Sequence, residues 1–96
     1  MEEKFLPIGT VVLLKGADKN VMITNYYVYS KSAKDKIYEY GGCPFPAGVK
    51  EDMTIGFDHS DIENIVFMGY VNEEQKELSK YLIDSAEEIK KNIMAA

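Results

Sequence analysis

Leu6-Pro7-Ile8-Gly9-Thr10-Val11-Val12-Leu13-Leu14-Lys15-Gly16, then Val21-Met22-Ile23-Thr24-Asn25-Tyr26-Tyr27-Val28-Tyr29, sets the fold class of this chain. A Pro/Gly turn releases a short apolar strand over Thr10–Lys15. The turn residues Gly16-Ala17-Asp18-Lys19-Asn20 stop it, and a second β-rich run returns over Val21–Ser30. In that second run Val21, Ile23, Tyr27 and Tyr29 fall on one side and Met22, Tyr26 and Val28 on the other. So uneven an alternation predicts a bulge or strong bend.

Working outward, Ser30–Lys36 is polar and Lys-rich and reads as an exposed loop. Ile37–Tyr40 alternates cleanly as a third strand. Gly41-Gly42-Cys43-Pro44-Phe45-Pro46-Ala47-Gly48 carries two prolines and three glycines after Gly41 is included, which predicts a structured loop with Phe45 folded inward as a plug. Thr54–Phe57 reads as a fourth strand. Ser60-Asp61-Ile62-Glu63 has the spacing of a capping box and predicts one helical turn, and Ile65–Met68 is a fifth strand closed by Gly69.

From Asn72 to Met94 the pattern changes to a helical one. Asn72 is an N-cap, with Glu73 and Glu74 in the first turn. Leu78, Tyr81, Leu82, Ser85, Ala86, Ile89 and Ile93 recur at steps of three and four. At about 1.5 Å per residue, one continuous helix would be about 33 Å long and would overhang a small barrel. Either it wraps across the sheet, or its last turns, with Ile89, Ile93 and Met94, project and need a cover, whether another protein or a second copy in a homodimer. The expected architecture is α+β: one domain over 1–96, with a small bent antiparallel sheet or SH3-like β-barrel of about five strands over 5–70. A long C-terminal amphipathic helix over 72–94 completes it.

Composition narrows the function classes. With 96 residues and 46% hydrophobic content the chain is long enough for one core. No apolar run approaches the roughly 20 residues that span a bilayer, and acidic Met1-Glu2-Glu3-Lys4 is unlike a signal peptide. The lone Cys43 cannot form an internal disulfide, which fits a cytoplasmic location. Residues 1–50 carry seven Lys against five acids, whereas 51–96 carry four Lys against eleven acids. All 11 basic residues are Lys. Without the Arg fork that reads guanine edges, and with a pI of about 4.8, nucleic acid is disfavoured as ligand, as is an anionic membrane.

Candidate chemistry is sparse. Asp58-His59 resembles a base with its orienting acid, and Asp61 is near, but no nucleophile motif accompanies them; the segment reads as a capped turn. Cys43 lacks the helix N-terminus or neighbouring cation that would activate a thiolate. One His, one Cys and scattered carboxylates match neither zinc spacings nor a calcium loop, and Gly41-Gly42 is no phosphate cradle. Neither metal nor cofactor is expected. Tyrosine is abundant, at 7 of 96 residues; most are expected to pack in the core, with one or two of Tyr26, Tyr27, Tyr29 and Tyr40 at a contact surface, because Tyr is large, rigid and polar-tipped.

The leading Leu6–Gly16 block, Val21-Met22-Ile23, Tyr40–Gly48, Phe57-Asp58-His59-Ser60-Asp61-Ile62 and Val66-Phe67-Met68-Gly69-Tyr70, in this order, resemble one family. It consists of small domain-of-unknown-function proteins of Gram-positive bacteria, encoded among type VII secretion genes and their LXG-type polymorphic toxins. The chain departs from it in the aromatic Asn25–Tyr29 run and the long C-terminal helix. The family has no recognised catalytic residues, so none is carried over. The resemblance implies a cytoplasmic chaperone or export adaptor for a toxin. The expectation is therefore a non-enzymatic protein-binding module whose surface includes Tyr26, Tyr27, Tyr29, Tyr40, Phe45, Ile89 and Ile93, facing a basic partner. An immunity protein that neutralises the toxin is the alternative in the same class. A small enzyme built on Asp58, His59 or Cys43, or a nucleic-acid-binding β-barrel, is the alternative outside it.

Overall fold

The computed structural model describes residues 4–30, 35–51 and 54–95. Five strands form one antiparallel sheet: β1 (Val11–Leu14), β2 (Asn20–Ser30), β3 (Lys36–Pro44), β4 (Ile55–Phe57) and β5 (Ile62–Phe67). A single 3-10 turn (His59–Asp61) precedes β5, and two helices follow, α1 (Glu73–Asp84) and α2 (Ala86–Ala95). Strand order is β4-β3-β2-β1-β5. The sheet is therefore open, with β4 and β5 as edges, and the bent-sheet form of the expectation holds rather than the closed barrel. Of the expected Ser30–Lys36 loop, Lys31–Lys34 lie outside the described residues, as do Met1–Glu3.

The leading Pro/Gly turn forms as read. Thr10 N–H donates to the Pro7 carbonyl at 3.2 Å, and Gly9 takes φ +92°, a left-handed conformation that suits glycine. The β1–β2 turn closes through Ala17 N–H to the Leu14 carbonyl at 3.1 Å, with Gly16 at φ +79°. The irregular alternation of β2 is real. Ile23 pairs with Gly42 and Asn25 with Gly41, so Thr24 is an extra residue and the register shifts there.

Three sequence expectations are corrected. Strand β3 does not stop at Tyr40 but continues through Gly41, Gly42, Cys43 and Pro44, between β2 and β4. Glycine is what permits this. A Cβ on Gly41 would lie 2.4 Å from Asn25 Oδ1, and one on Gly42 would lie 2.6 Å from the Met22 carbonyl, so the two strands approach where side chains would keep them apart. Because the ladder runs on, Phe45 is carried past the sheet's end and is 47% exposed instead of plugging the core. The plug is Phe5, which is buried against Tyr26, Tyr27 and Tyr40 at ring-centroid distances of 5.1–5.8 Å.

The second correction is at the helical turn. It spans His59–Asp61 instead of starting at Ser60, with the Asp61 carboxylate accepting from Asp58 N–H at 2.8 Å, so β5 begins at Ile62. The third is the long helix, which is two helices. Ser85, at φ −106° and ψ +19°, ends α1, and its carbonyl accepts from Ile89 N–H to start α2. Serine competes with helical backbone bonding, and Ser85-x-x-Glu88 has the spacing of a helix-start signature with Glu87 and Glu88 in the first turn. By rise per residue α1 is about 18 Å long and α2 about 15 Å, so neither overhangs the sheet as a single rod would. Ala86, Ile89 and Ile93 pack on the core beside Leu82.

Gly69 closes the sheet's junction with α1. Its N–H donates to Thr10 Oγ1 at 2.9 Å, and an added Cβ would fall 2.5 Å from the Ile8 carbonyl and 2.9 Å from Thr10 N. Both obstacles are backbone, so neither can swing aside. Gly69→Ala is expected to cost about 2–3 kcal/mol by denaturant unfolding, against about 1 kcal/mol for Gly16→Ala, where only the left-handed φ is penalised. Equal costs at the two positions would refute the close-approach account.

Candidate functional site

Two surfaces carry side chains of interest. The first is a polar cleft of about 390 Å³ lined by Lys4, Lys36, Glu39, Asp58, His59 and Lys90. Strand β3 and the 3-10 turn are clasped there reciprocally. Glu39 Oε1 accepts from His59 N–H at 2.8 Å, and Asp58 Oδ1 accepts from Glu39 N–H at 3.1 Å. The second oxygen of each carboxylate takes a lysine: Lys4 Nζ to Glu39 at 2.9 Å and Lys36 Nζ to Asp58 at 3.1 Å. Hydrogen bonding to Asp58 pushes the Lys36 ammonium pKa up. Lys90 of α2 sits over the Tyr27 ring, 6.0 Å from its centroid.

Tyr40, the neighbour of Glu39 on β3, is buried in the core behind this cleft. It is 0% exposed, stacks on Phe57 at 5.2 Å, and its hydroxyl accepts from Phe5 N–H at 2.8 Å and Leu6 N–H at 3.1 Å. The same oxygen lies 2.8 Å from His59 Nδ1. A phenol has one proton and two acceptor positions. The Tyr40 oxygen gathers two backbone N–H groups of the leading segment and one ring nitrogen of the 3-10 turn, tying the two together. The Asp58-His59 pair seen in the sequence is thus a clasp in which Asp58 faces Glu39 N–H and Lys36. Cys43 is buried within β3 opposite Met22, remote in register from this cleft. Among the described residues no three His, Cys, Asp or Glu side chains converge as a metal-ligand set.

The second surface is apolar. A groove of about 420 Å³ runs between Ile8, Tyr26 and Tyr70 on one side and Glu74, Gln75 and Leu78 of α1 on the other. Leu78, Tyr81 and Leu82 share one apolar stripe in the sequence, but α1 docks through Gln75, Ser79 and Leu82, with Leu78 and Tyr81 left outside the contact. Ser79 Oγ donates to the Lys4 carbonyl at 2.9 Å, Gln75 Nε2 donates to the Phe5 carbonyl at 3.3 Å, and Leu82 enters the core. That rotation leaves Leu78 43% and Tyr81 56% exposed, and Tyr70, in the connection before α1, is 78% exposed. A docking face that sets Gln75 and Ser79 beside Leu82 is invisible to a hydrophobic pattern.

A family model described as a domain of unknown function (DUF4176) matches residues 5–78. The chain belongs to this family. The matched stretch takes in the leading segment, all five strands and α1 as far as Leu78; α2 lies beyond it. No curated protein and no solved structure matches the chain. Among the described residues, no helix is long and apolar enough to cross a membrane.

The seven residues expected at a protein contact are spread through this family member. Tyr27 and Tyr40 are core residues, and Tyr26 is half-buried, its hydroxyl donating to the Leu6 carbonyl at 2.5 Å. Tyr29 is exposed and donates to Asp35 Oδ1 at 2.6 Å, and Phe45 is exposed at the far end of β3. Ile89 and Ile93 lie half-buried on the core. Only Tyr26 borders the apolar groove. Ile8, Tyr70, Leu78 and Tyr81 were not singled out from the sequence as contact residues.

Tyr40→Phe would strand two buried N–H groups and is expected to cost about 2–5 kcal/mol, whereas Tyr29→Phe should cost under about 0.5 kcal/mol. Chemical denaturation of both variants checks this. Burial, the leading cause, pushes the hydroxyl pKa of both Tyr26 and Tyr40 up to about 12 from the ordinary 10.0. The native state therefore holds protons that the unfolded chain releases. Their contribution to stability is complete below pH about 10 and is lost as pH rises towards 12. Stability measured between pH 9 and 12 should fall across that window, and Tyr40→Phe should flatten the fall.

Proposed function

We propose that this protein is a non-enzymatic protein-binding accessory module, acting in the cytoplasm as a chaperone or export adaptor for a type VII-secreted toxin of the LXG class. The observation that carries the binding reading is the exposed apolar wall of Tyr70, Leu78 and Tyr81 beside a preformed groove. Large outward apolar side chains grouped around a concavity are costly to leave in water and favour a macromolecular partner. The polar cleft supports the same reading. Its carboxylates are engaged with Lys4, Lys36 and backbone N–H groups, and Nδ1 of its histidine is taken by Tyr40, so the groups best suited to acid–base work are occupied in holding the turn. The secretion setting rests on the sequence resemblance to proteins encoded beside LXG toxins.

In the native host, deletion of the gene is expected to abolish export of one cognate toxin while leaving the secretion machinery able to export others. Co-expression with that toxin should not restore growth, because an adaptor does not block a toxin's active site. Unchanged export after deletion, or rescue of growth on co-expression, would count against the adaptor reading.

A further inference from the structure

The groove's electrostatics say what kind of segment fits it. Setting Glu74 at zero on the α1 wheel, at about 100° per residue Leu78 falls at about 40°, Tyr81 at about −20° and Glu77 at about −60°. The two lysines of α1, Lys76 and Lys80, fall at about 200° and 240°, on the other side of the helix. The exposed stripe is thus bordered by carboxylates and by no ammonium group of its own helix. Lys76 is moreover drawn to Glu73 at 3.7 Å, whereas Glu74 and Glu77 form no ion pair among the described residues. Across the groove the wall is Ile8, Tyr26 and Tyr70, which carry no charge to answer them. No Lys occurs from 51 to 75, so the chain leading into α1 is also purely acidic.

We propose that this groove receives an amphipathic α-helix of a partner protein whose apolar stripe is flanked by lysine or arginine. The inference rests on the protein-binding reading and adds the partner's chemistry. The geometry that recommends a helix is the wall itself. Leu78, which lines the groove, and Tyr81, exposed three residues further along α1 at its rim, form a ridge of the kind that interlocks with the i, i+3, i+4 side chains of a second helix, the helix-in-groove mode of recognition. Ile8 and Tyr70 would close over the incoming helix from the sheet side. Basic residues at its margins would meet Glu74 and Glu77, which gain Coulomb energy as the apolar contact excludes water. A second copy of this chain is a poorer occupant, because its matching face would oppose carboxylate to carboxylate.

The test uses the full chain and two synthetic 18-residue amphipathic helices with identical leucine stripes, one flanked by lysines and the other by glutamates. In ¹H–¹⁵N spectra the lysine peptide should produce saturable shifts centred on Ile8, Tyr70, Leu78 and Tyr81, with affinity falling as salt rises. The glutamate peptide should bind at least tenfold more weakly. The surface variant Glu74→Lys/Glu77→Lys should reverse that preference, and Leu78→Asp should remove binding of both while the thermal melt stays intact. Saturable shifts elsewhere, no peptide binding, equal binding of the two peptides, an unchanged preference in the charge-reversed variant, or concentration-dependent self-association through this face would each overturn the proposal. If these peptides fail while deletion still abolishes toxin export, the groove assignment falls and the adaptor reading stands.

Discussion

The fold depends on feeding hydrogen bonds to a piece of chain that has no regular structure. Phe5 and Leu6 are buried under α1 and against the sheet, yet belong to neither helix nor strand. Their backbone groups cannot reach water and cannot find a ladder, and each one left unmet would cost about 1–3 kcal/mol. Side chains supply what secondary structure does not. Tyr40 takes the Phe5 and Leu6 N–H groups, Tyr26 the Leu6 carbonyl, Gln75 the Phe5 carbonyl and Ser79 the Lys4 carbonyl. Strands β2 and β3 and helix α1 are thereby tied to one another through a segment that is itself irregular. Phe5, at φ +63°, accepts a left-handed backbone to put its ring among three tyrosines.

The tyrosines thus act mainly as hydrogen-bonding core residues. Tyr27 is the extreme case. It takes φ +54°, unusual for a bulky residue in a strand, and this breaks the alternation so that Tyr26 and Tyr27 both meet Phe5. Its hydroxyl donates to the Leu82 carbonyl at 2.7 Å, one of the last-turn carbonyls that an ending helix leaves open. The break at Ser85 and the strained tyrosine are therefore two ends of one arrangement. The sheet reaches up with a phenol to the place where the helix stops.

Where local pattern and tertiary role coincided, the sequence was readable. The Pro7–Gly9 turn, the Gly16 turn, the five strand positions and the Asn72 cap were all visible as local signals, and Asn72 Oδ1 does accept from Gln75 N–H at 2.8 Å. Three features were hidden because their cause is non-local. Gly41 and Gly42 look like loop glycines until the Met22 carbonyl and Asn25 are seen pressing on them from β2. Ser85 sits in an unbroken apolar periodicity that masks its own helix-start spacing, and the Tyr27 hydroxyl on the Leu82 carbonyl marks where the rod is cut. The polar docking face of Gln75 and Ser79 carries no hydrophobic signal, so the pattern shows only the apolar stripe beside it, from which α1 is turned away at Leu78 and Tyr81.

That last displacement bears directly on function. A helix can bury one face, and α1 has two that ask for it: a polar one whose hydrogen bonds complete the Lys4–Leu6 backbone, and an apolar one at Leu78 and Tyr81. The polar face wins because an unmet buried carbonyl is dearer than an exposed leucine, and Gln75 and Ser79 are the side chains that donate to the Phe5 and Lys4 carbonyls among the described residues. Cutting the helix at Ser85 lets α2 lay Ala86, Ile89 and Ile93 on the core without turning α1 to share its apolar side. Joining the two helices into one rod, with its stripe inward, would recover some apolar burial and orphan the leading segment. The exposed wall beside the groove is thus a consequence of how the interior is satisfied: Leu78 and Tyr81 stay in water because α1 spends its inner face on the leading segment.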